Sequence, residues 1–385
     1  MENATFNLLK TLLTHASVSP NDAGCMEEIC HLFSDTNANI RYLDKNQTKN
    51  LLISHGSASP HIVFVGHTDV VPAGDESDWQ SPPFTPTIRD GKLYARGAAD
   101  MKSGVAAMTI AMRRLILEYP NHIGTLSLLL TSDEEADASD GIQAVLPQLT
   151  NENIHFDYAI VGEPTANHQL GDTARNGRRG SLNLKLTVQG RQGHVAYPEQ
   201  IKNPIHGLGE IIAAISAIQW DTGNQFFPPT SCQFSNISGG TGAENVIPER
   251  VQAMVNWRYN TEQTENEIKT RIETLVQTIC EQRDLHPTFQ WRLSGEPFAT
   301  ENKILMQALA SASEKHTHQK LIFNTAGGTS DARFMAKYGA DTVEYGVCNA
   351  SIHKIDEHVE VADLAPLTAV YRDTIINLWQ NHVNH

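Results

Sequence analysis

Three short apolar runs, separated by longer segments, restrict most strongly what the first half of this chain can fold into. They cover residues 62–65, 126–130 and 158–161, and each has the length of a fully buried strand. Between the first two runs, residues 105–117 are rich in Ala, Met and Leu and predict a helix. Strands that alternate with helices favour an α/β domain with a parallel sheet.

The pattern changes near Gly180, where apolar residues begin to alternate with polar ones, as in a strand with one face in water. The segments that follow predict, in order, a strand at 182–188, a helix at 204–218, strands at 231–237 and 251–257, a helix at 268–279 and a strand at 289–293. This order, β-α-β-β-α-β, is typical of a ferredoxin-like unit.

The α/β pattern returns after Gly295, with a helix near 304–315, a strand near 342–345 and a C-terminal helix. The 385 residues also exceed the roughly 250–300 residues of a single core, so about two domains are expected. We predict a discontinuous domain, residues 1–179 and 295–385, interrupted by an inserted α+β domain, residues 180–294. Two domains in tandem are the alternative.

Composition narrows the classes of function. The formal net charge is −15, because 44 Asp and Glu outnumber 29 Lys and Arg. This balance argues against nucleic-acid binding and against anionic membrane surfaces. No run approaches the 18 apolar residues of a membrane span, and the N-terminus lacks the order of a secretory signal. Five cysteines without a CxxC pair predict reduced thiols in a cytoplasmic protein.

Carboxylates and imidazoles follow the predicted strands at the points where the strands end. They are His67 and Asp69 after the first run, Glu134 and Glu135 after the second, Glu163 after the third, Asp100 before the helix, and His353 after the strand near 342–345. Ligands of open α/β sheets bind at the carboxyl ends of strands, so these side chains are expected to converge. The donor types suit a hydrolytic zinc site, and their number suffices for two ions about 3.5–4 Å apart.

The spacing within these clusters suggests separate roles. Asp69 lies two residues after His67, on the same side of an extended segment, and can accept the free ring N–H of that histidine. Glu134 and Glu135 point apart in an extended segment, so one can bind metal while the other acts as general base. Each cluster alone also fits an ordinary loop or a solvated turn. Their coincidence at successive strand ends favours a site.

Five segments together resemble one known family. They are Gly66–Pro72, Arg96–Lys102, Thr131–Glu135, Gly162–Pro164 and Gly327–Asp331. Over essentially the whole chain, this pattern is similar to the M20 family of dizinc amidohydrolases and peptidases. The resemblance implies a zinc-peptidase-like mixed sheet sandwiched by helices. It also implies that the inserted ferredoxin-like domain serves as a lid and forms a homodimer.

The resemblance also implies roles for the strand-end residues. One zinc ion would be held by His67, Asp100 and Glu163, and the other by Asp100, Glu135 and His353, with Asp100 bridging. Co²⁺ or another divalent metal is a possible substitute. Glu134 would be the general base and acid, and His194 of the partner subunit would stabilise the oxyanion. His358 competes with His353, which is favoured because residues 351–354 match the family motif.

Three further segments, residues 176–181, 192–198 and 227–231, resemble the family members that remove succinate from a succinylated diamino acid. Such a substrate carries carboxylates at both ends, which arginines bind well. The candidate contacts are Arg178, Arg179, Ser181, Tyr197, Asn245, Arg258, Thr329, Arg333 and Asn349. Each arginine also fits a surface salt bridge. Another deacylase of the family, such as an acetylornithine deacetylase or an aminoacylase, remains open, as does a metal-free binding or regulatory protein on this fold.

Overall fold

The computed structural model describes residues 3–383. Its α-helices are α1 (Asn3–Leu13), α2 (Cys25–His31), α3 (Ser103–Glu118), α4 (Ile142–Asn151), α5 (Pro204–Ser216), α6 (Glu265–Gln282), α7 (Lys303–Thr317), α8 (Ala332–Lys337) and α9 (Leu364–Val383). Its strands are β1 (Asn39–Tyr42), β2 (Asn50–Gly56), β3 (His61–His67), β4 (Thr87–Arg89), β5 (Lys92–Tyr94), β6 (Thr125–Thr131), β7 (Tyr158–Val161), β8 (Thr173–Arg175), β9 (Gly177–Arg178), β10 (Gly180–Gln189), β11 (Gly193–His194), β12 (Ser231–Gly239), β13 (Val246–Ile247), β14 (Arg250–Tyr259), β15 (His286–Gly295), β16 (Phe298–Ala299), β17 (Ile322–Asn324), β18 (Asp341–Glu344) and β19 (His358–Glu360).

An eight-stranded sheet forms the centre of the first unit, in the order β1-β2-β6-β3-β7-β18-β8-β17. The central strands β6, β3, β7 and β18 are parallel, as the apolar runs predict. The sheet as a whole is mixed, because β2 pairs antiparallel with both β1 and β6. The α/β class with a mixed sheet is confirmed. The three runs are parallel strands as inferred, whereas the antiparallel strands β1 and β2 were not foreseen.

Helices cover both faces of this sheet. Ile62 and Phe64 of β3 join a core cluster with residues of α1, α3, α7 and α9. Val63 and Val65, which alternate with them, are equally buried but lie outside that cluster, on the face where α4 and α8 pack. Strands buried on both faces read as continuous apolar runs, which explains the sequence pattern.

The second unit contains a four-stranded antiparallel sheet in the order β12-β14-β10-β15. Numbered within the unit, this order is 2-3-1-4, the ferredoxin-like arrangement expected from the sequence. Leu182, Leu184 and Leu186 of β10 point into its core together with Ile211 of α5 and Ile272 of α6. The opposite sheet face carries polar residues, which accounts for the alternation.

The boundaries between the units differ slightly from those predicted. The second unit comprises Arg178–Ala299 together with Thr325–Thr329, and the first comprises the rest. The short return segment belongs to the second unit because Thr325 Oγ1 donates to the carbonyl of Phe226 at 2.7 Å, and Arg178 Nη1 donates to that of Ala326 at 3.1 Å. Within residues 3–383, no helix combines the length and apolar character needed to cross a bilayer.

Candidate metal centre

The parallel strands β3, β6 and β7 bring their carboxyl ends to one edge of the large sheet. His67 is the last residue of β3, Glu134 and Glu135 follow β6, and Glu163 follows β7. The pairings of β3 with β6 and β7 are in register over their length, so these residues meet at the same level. Strand order alone therefore gathers four of the predicted donors.

Asp100 reaches the same place from an irregular segment that precedes α3. Its backbone is not helical, with φ −120° and ψ 101°. The first turn of α3 approaches β7 so closely that a Cβ on Gly104 would lie 2.2 Å from the carbonyl oxygen of Gly162. A glycine at this position thus permits the approach that brings Asp100 near Glu163.

The carboxylate of Asp100 lies between two histidines. Its Oδ1 is 3.3 Å from His67 Nε2, and its Oδ2 is 3.4 Å from His353 Nε2. His353 Nε2 is also 3.0 Å from Glu135 Oε1, and His67 Nε2 is 3.8 Å from Glu163 Oε1. Asp100 therefore presents one oxygen to His67 and the other to His353.

Two groups of donors have atoms within 4.8 Å of one another: His67 with Asp100 and Glu135, and His67 with Glu134 and Glu163. Glu134 and Glu135 thus face different partners, as their adjacency predicts. Glu134 thus shares a group with Glu163, whereas Glu135 shares one with Asp100.

The histidine that competes with His353 lies elsewhere. The ring of His358 packs against Tyr94, with centroids 4.8 Å apart, and its Nε2 is 3.4 Å from Lys92 Nζ. His353 adopts a left-handed backbone conformation, with φ 59°, which is uncommon for a residue with a side chain. That conformation accompanies its contacts with Asp100 and Glu135.

Asp69 is placed differently from the expectation. The Nδ1 atom of His67 is 2.9 Å from the backbone carbonyl of Asp69, whereas the nearest carboxylate oxygen is 3.6 Å away. The carboxylate instead accepts the backbone N–H groups of Glu134 and Glu135, each at 3.2 Å, and the hydroxyl of Ser19. Asp69 orients both the histidine and the two glutamates, but through different atoms.

The pKa values of His67, His353 and Glu134 are raised within the cluster. Burial opposes a charged His67, but Asp100, Asp69 and Glu163 outweigh it and raise the pKa of His67 well above its usual range. Hydrogen bonds to Asp100 and Glu135 raise the pKa of His353 to about 10. Burial and the charge of Glu163 raise the pKa of Glu134. The two imidazoles thus hold protons that divalent cations could displace.

Three predicted substrate contacts lie together in the second unit. Burial and the charges of Arg179 and Arg178 lower the pKa of Arg258. In the described part of the chain, Arg179 Nε and Arg258 Nη1 are buried without a hydrogen-bond partner. Gly327, at φ 100°, allows its loop to approach the side chain of Arg178. A Cβ at this position would lie 2.1 Å from Arg178 Nη1. The arrangement leaves guanidinium groups that an anionic ligand could satisfy.

Other predicted contacts of the second unit are dispersed. Ser181 is buried on β10, where its Oγ accepts from Asn256 at 3.1 Å. His194 and Tyr197 are exposed, with ring centroids 5.9 Å apart, and Asn245 Nδ2 is 3.5 Å from His194 Nε2. Thr329 is half-buried at the end of the return segment.

Two predicted contacts belong to the first unit. Arg333 Nη1 donates to the carbonyl of Ser330 at 2.9 Å, and its guanidinium lies 4.3 Å from the ring centroid of Phe334. The backbone N–H of Asn349 donates to the carbonyl of Ala166 at 3.0 Å. Both are half-buried.

Comparison with known proteins identifies the family of this chain. Residues 63–377 match the Peptidase_M20 domain, described as peptidase family M20/M25/M40. The chain belongs to this family. A succinyl-diaminopimelate desuccinylase of Methylococcus capsulatus is 47% identical over 374 residues, which is 97% of this chain and 98% of the relative.

Solved structures show the same fold. The aminopeptidase PepT of Bacillus cereus has a TM-score of 0.80 at 19% identity, over 98% of this chain and 99% of the other. The YXEP protein of Bacillus subtilis, described as a dinuclear metal-binding M20 peptidase, has a TM-score of 0.76 at 12% identity and 98% coverage of both chains.

The sequence did not single out two buried carboxylates near the M20 donor cluster. Glu357 accepts backbone N–H groups from the segment that carries Asp100. Asp331 is fully buried, and burial raises its pKa to about 7. Both of its carboxylate oxygens lack a hydrogen-bond partner among residues 3–383. Asp331 could have been found from the sequence, because it lies in the segment Gly327–Asp331 that resembles the family. For Glu357, the only sequence signal was its position four residues after His353.

Proposed function

We propose that this chain hydrolyses the amide bond of N-succinyl-LL-2,6-diaminopimelate, giving succinate and LL-2,6-diaminopimelate. This reaction belongs to lysine and diaminopimelate biosynthesis. The observation that carries the proposal is the cluster of imidazole and carboxylate donors around Asp100, in a chain 47% identical to a relative of that name. The free state of the five cysteines is consistent with the cytoplasmic location we propose.

The donor set fits two divalent metal ions, which we propose to be zinc, with Co²⁺ or another divalent metal as a substitute. Imidazole nitrogens and carboxylate oxygens suit zinc, and a buried excess of negative charge requires compensation. His67, Asp100 and Glu163 would hold one ion, and Asp100, Glu135 and His353 the other. Two such ions, when bound, lower the pKa of water and polarise a carbonyl.

Glu134 is the residue we assign to proton transfer. Its side chain lies near His67 and Glu163, and the carboxylate of Asp69 holds its backbone N–H. Glu134 accepts a proton from the attacking water as oxygen adds to the succinyl carbonyl. It then donates that proton to the nitrogen of the leaving diaminopimelate, as the carbon–nitrogen bond breaks.

Arginines of the second unit are suited to the carboxylates of the substrate. Arg178, Arg179 and Arg258 provide three guanidinium groups, two of which have buried, unpartnered nitrogens. Bidentate binding of carboxylates is the geometry that arginine favours. We assign the remaining substrate contacts to Ser181, Tyr197, Asn245, Thr329, Arg333 and Asn349.

We further propose a homodimer formed through the second unit, in which each subunit lends His194 to its partner. Strand β12 lies at an edge of its sheet, where Ile237 is 61% exposed, and Met254 of the adjacent strand is 46% exposed. The backbone N–H of Ala196 donates to His194 Nδ1 at 3.1 Å, which places the proton of the neutral ring on Nε2. In the proposed role, Nε2–H would move away from Asn245 Nδ2, 3.5 Å from it here, and donate to an oxyanion.

A side-by-side turnover assay tests the proposal. The zinc-loaded protein should hydrolyse N-succinyl-LL-2,6-diaminopimelate with a kcat/KM far above that for N-acetylornithine. The Glu134→Gln variant, purified identically, excludes a contaminating hydrolase. Faster hydrolysis of N-acetylornithine would instead indicate another deacylase. Fewer than one metal ion per chain, without metal-dependent hydrolysis of either compound, would indicate a binding or regulatory protein.

A further inference from the structure

A single buried carboxylate, that of Glu357, holds the irregular segment before α3. Its Oε1 accepts the backbone N–H of Ala99 at 2.9 Å and that of Asp100 at 3.0 Å. Its Oε2 accepts the N–H of Gly97 at 3.1 Å and Arg96 Nη1 at 2.7 Å. Four donors from five consecutive residues thus converge on one side chain that is 1% exposed.

The segment needs such a partner because its backbone departs from a helix. Asp100 and Met101 both have non-helical dihedral angles, so the regular pattern of helical hydrogen bonds is interrupted there. The two N–H groups on Oε1 belong to Asp100 itself and to the residue before it. The orientation of the Asp100 peptide, and hence of its side chain, depends on where Glu357 lies.

Glu357 is also linked to the other side of the cluster. It lies four residues after His353, whose ring contacts Asp100 Oδ2 at 3.4 Å and Glu135 Oε1 at 3.0 Å. The loop that carries both residues therefore contacts Asp100 twice. His353 contacts the carboxylate of Asp100, and Glu357 accepts the backbone N–H of Asp100. Arg96 also binds this loop, because its Nη1 donates to the carbonyl of Lys354 at 3.1 Å.

We infer that Glu357 is a positioning residue that fixes the carboxylate of Asp100 between His67 and His353. Through Asp100, it sets the affinity of the cluster for divalent ions. Residues that orient metal ligands commonly change metal affinity by about 10–100-fold when they are replaced. This inference rests on the metal centre proposed above, but not on the identity of the substrate.

Two substitutions of Glu357 separate positioning from simple stability. Glu357→Gln preserves the shape, but its amide NH₂ cannot accept hydrogen bonds, so one pair of donors loses its acceptor. Glu357→Asp keeps the charge beside Arg96 but is one methylene shorter.

Asp373→Asn is the matched control. Asp373 is also a buried, ion-paired carboxylate of the first unit, bound by Lys315 at 2.6 Å and by Arg372 at 2.7 Å. Its ion pairs within residues 3–383 are with Lys315, His316 and Arg372, none of which is a proposed metal ligand.

The experiment measures Zn²⁺ binding to metal-free protein by calorimetry, together with the visible spectrum of the Co²⁺-loaded protein. Glu357→Gln should raise the dissociation constant of at least one ion about tenfold or more and change the Co²⁺ spectrum. Glu357→Asp should raise it less, by about threefold or more. Asp373→Asn should lower the melting temperature and leave binding and spectrum as in the wild type.

Two results would overturn the role of Glu357: unchanged dissociation constants in Glu357→Gln, or an equal loss in Asp373→Asn. If the Gln variant does not fold, Glu357→Asp decides alone, and wild-type affinity in that variant overturns the inference. Wild-type protein that binds no divalent ion would refute the metal centre itself. Normal wild-type binding with unchanged Glu357 variants would refute only the positioning role.

Discussion

Loading the metal-free protein with zinc should release protons, because the two histidines of the cluster are protonated in its absence. The pKa of His353 is raised to about 10 by its hydrogen bonds to Asp100 and Glu135, and that of His67 lies well above its usual range. At pH 7 both rings therefore carry a proton, whereas a metal ligand must be neutral imidazole. Binding of two ions should release about two protons from these rings.

Protons and metal ions compete for the same nitrogen atoms, so the apparent affinity for zinc should rise as pH increases from 6 to 8. Titration calorimetry in several buffers measures the number of protons released on zinc binding. This number is the slope of the observed binding enthalpy plotted against the ionisation enthalpy of the buffer. The expected slope corresponds to about two protons per chain at pH 7.

A pair of variants assigns the protons to residues. His353→Gln should lower the count by about one, because the ring that holds the proton is gone. His358→Gln should leave it unchanged, since that ring lies beside Tyr94 and Lys92 instead. A slope near zero in the wild type, or an equal loss in both variants, would refute the reasoning.

Three other perturbations have defined outcomes. Glu134→Gln should retain zinc, measured by metal analysis, and lose turnover by about 10²–10⁴-fold; near-normal turnover would exclude it as the base. His194→Ala should be inactive as a dimer, and mixing it with Glu134→Ala should restore about a quarter of wild-type sites, since half of the exchanged dimers carry one complete site. No recovery after demonstrated subunit exchange would exclude a contribution in trans. Burial lowers the pKa of His61 to about 4, below about 6.5 in an unfolded chain, so the unfolded state takes up its proton first. The free energy of unfolding of metal-free protein should therefore fall by at most about 3 kcal/mol as pH drops from about 6.5 to about 4, and His61→Gln should reduce this slope in urea titrations.

The secondary-structure elements that could be predicted are those whose burial is visible in their own pattern of apolar and polar residues. The strands at residues 62–65, 126–130 and 158–161 are buried on both faces, and a continuous apolar run is the direct result. The regular alternation around 182–188 reflects one face on helices and one in water. Because donors follow strands at their carboxyl ends, the approach of His67 and Glu163 was also predictable.

Features that depend on distant backbone atoms could not be predicted. Strand β2 takes its antiparallel direction from its pairing with β6, which lies far from it in the sequence. Residues 325–329 join the second unit through a carbonyl of Phe226. His67 is oriented by a backbone carbonyl, and Glu357 is held by backbone N–H groups. Backbone groups are the same at every position, so such partners leave no mark in the sequence.

Turnover of the succinylated substrate should depend on bound metal. Metal-free protein is titrated with Zn²⁺ while hydrolysis of N-succinyl-LL-2,6-diaminopimelate is followed by release of the free amine. We expect no turnover without metal, and a rate that rises and reaches its plateau at two equivalents per chain. Hydrolysis that is unaffected by removal of metal, or a fully zinc-loaded protein that leaves this substrate intact, would rule out a metal-dependent desuccinylase.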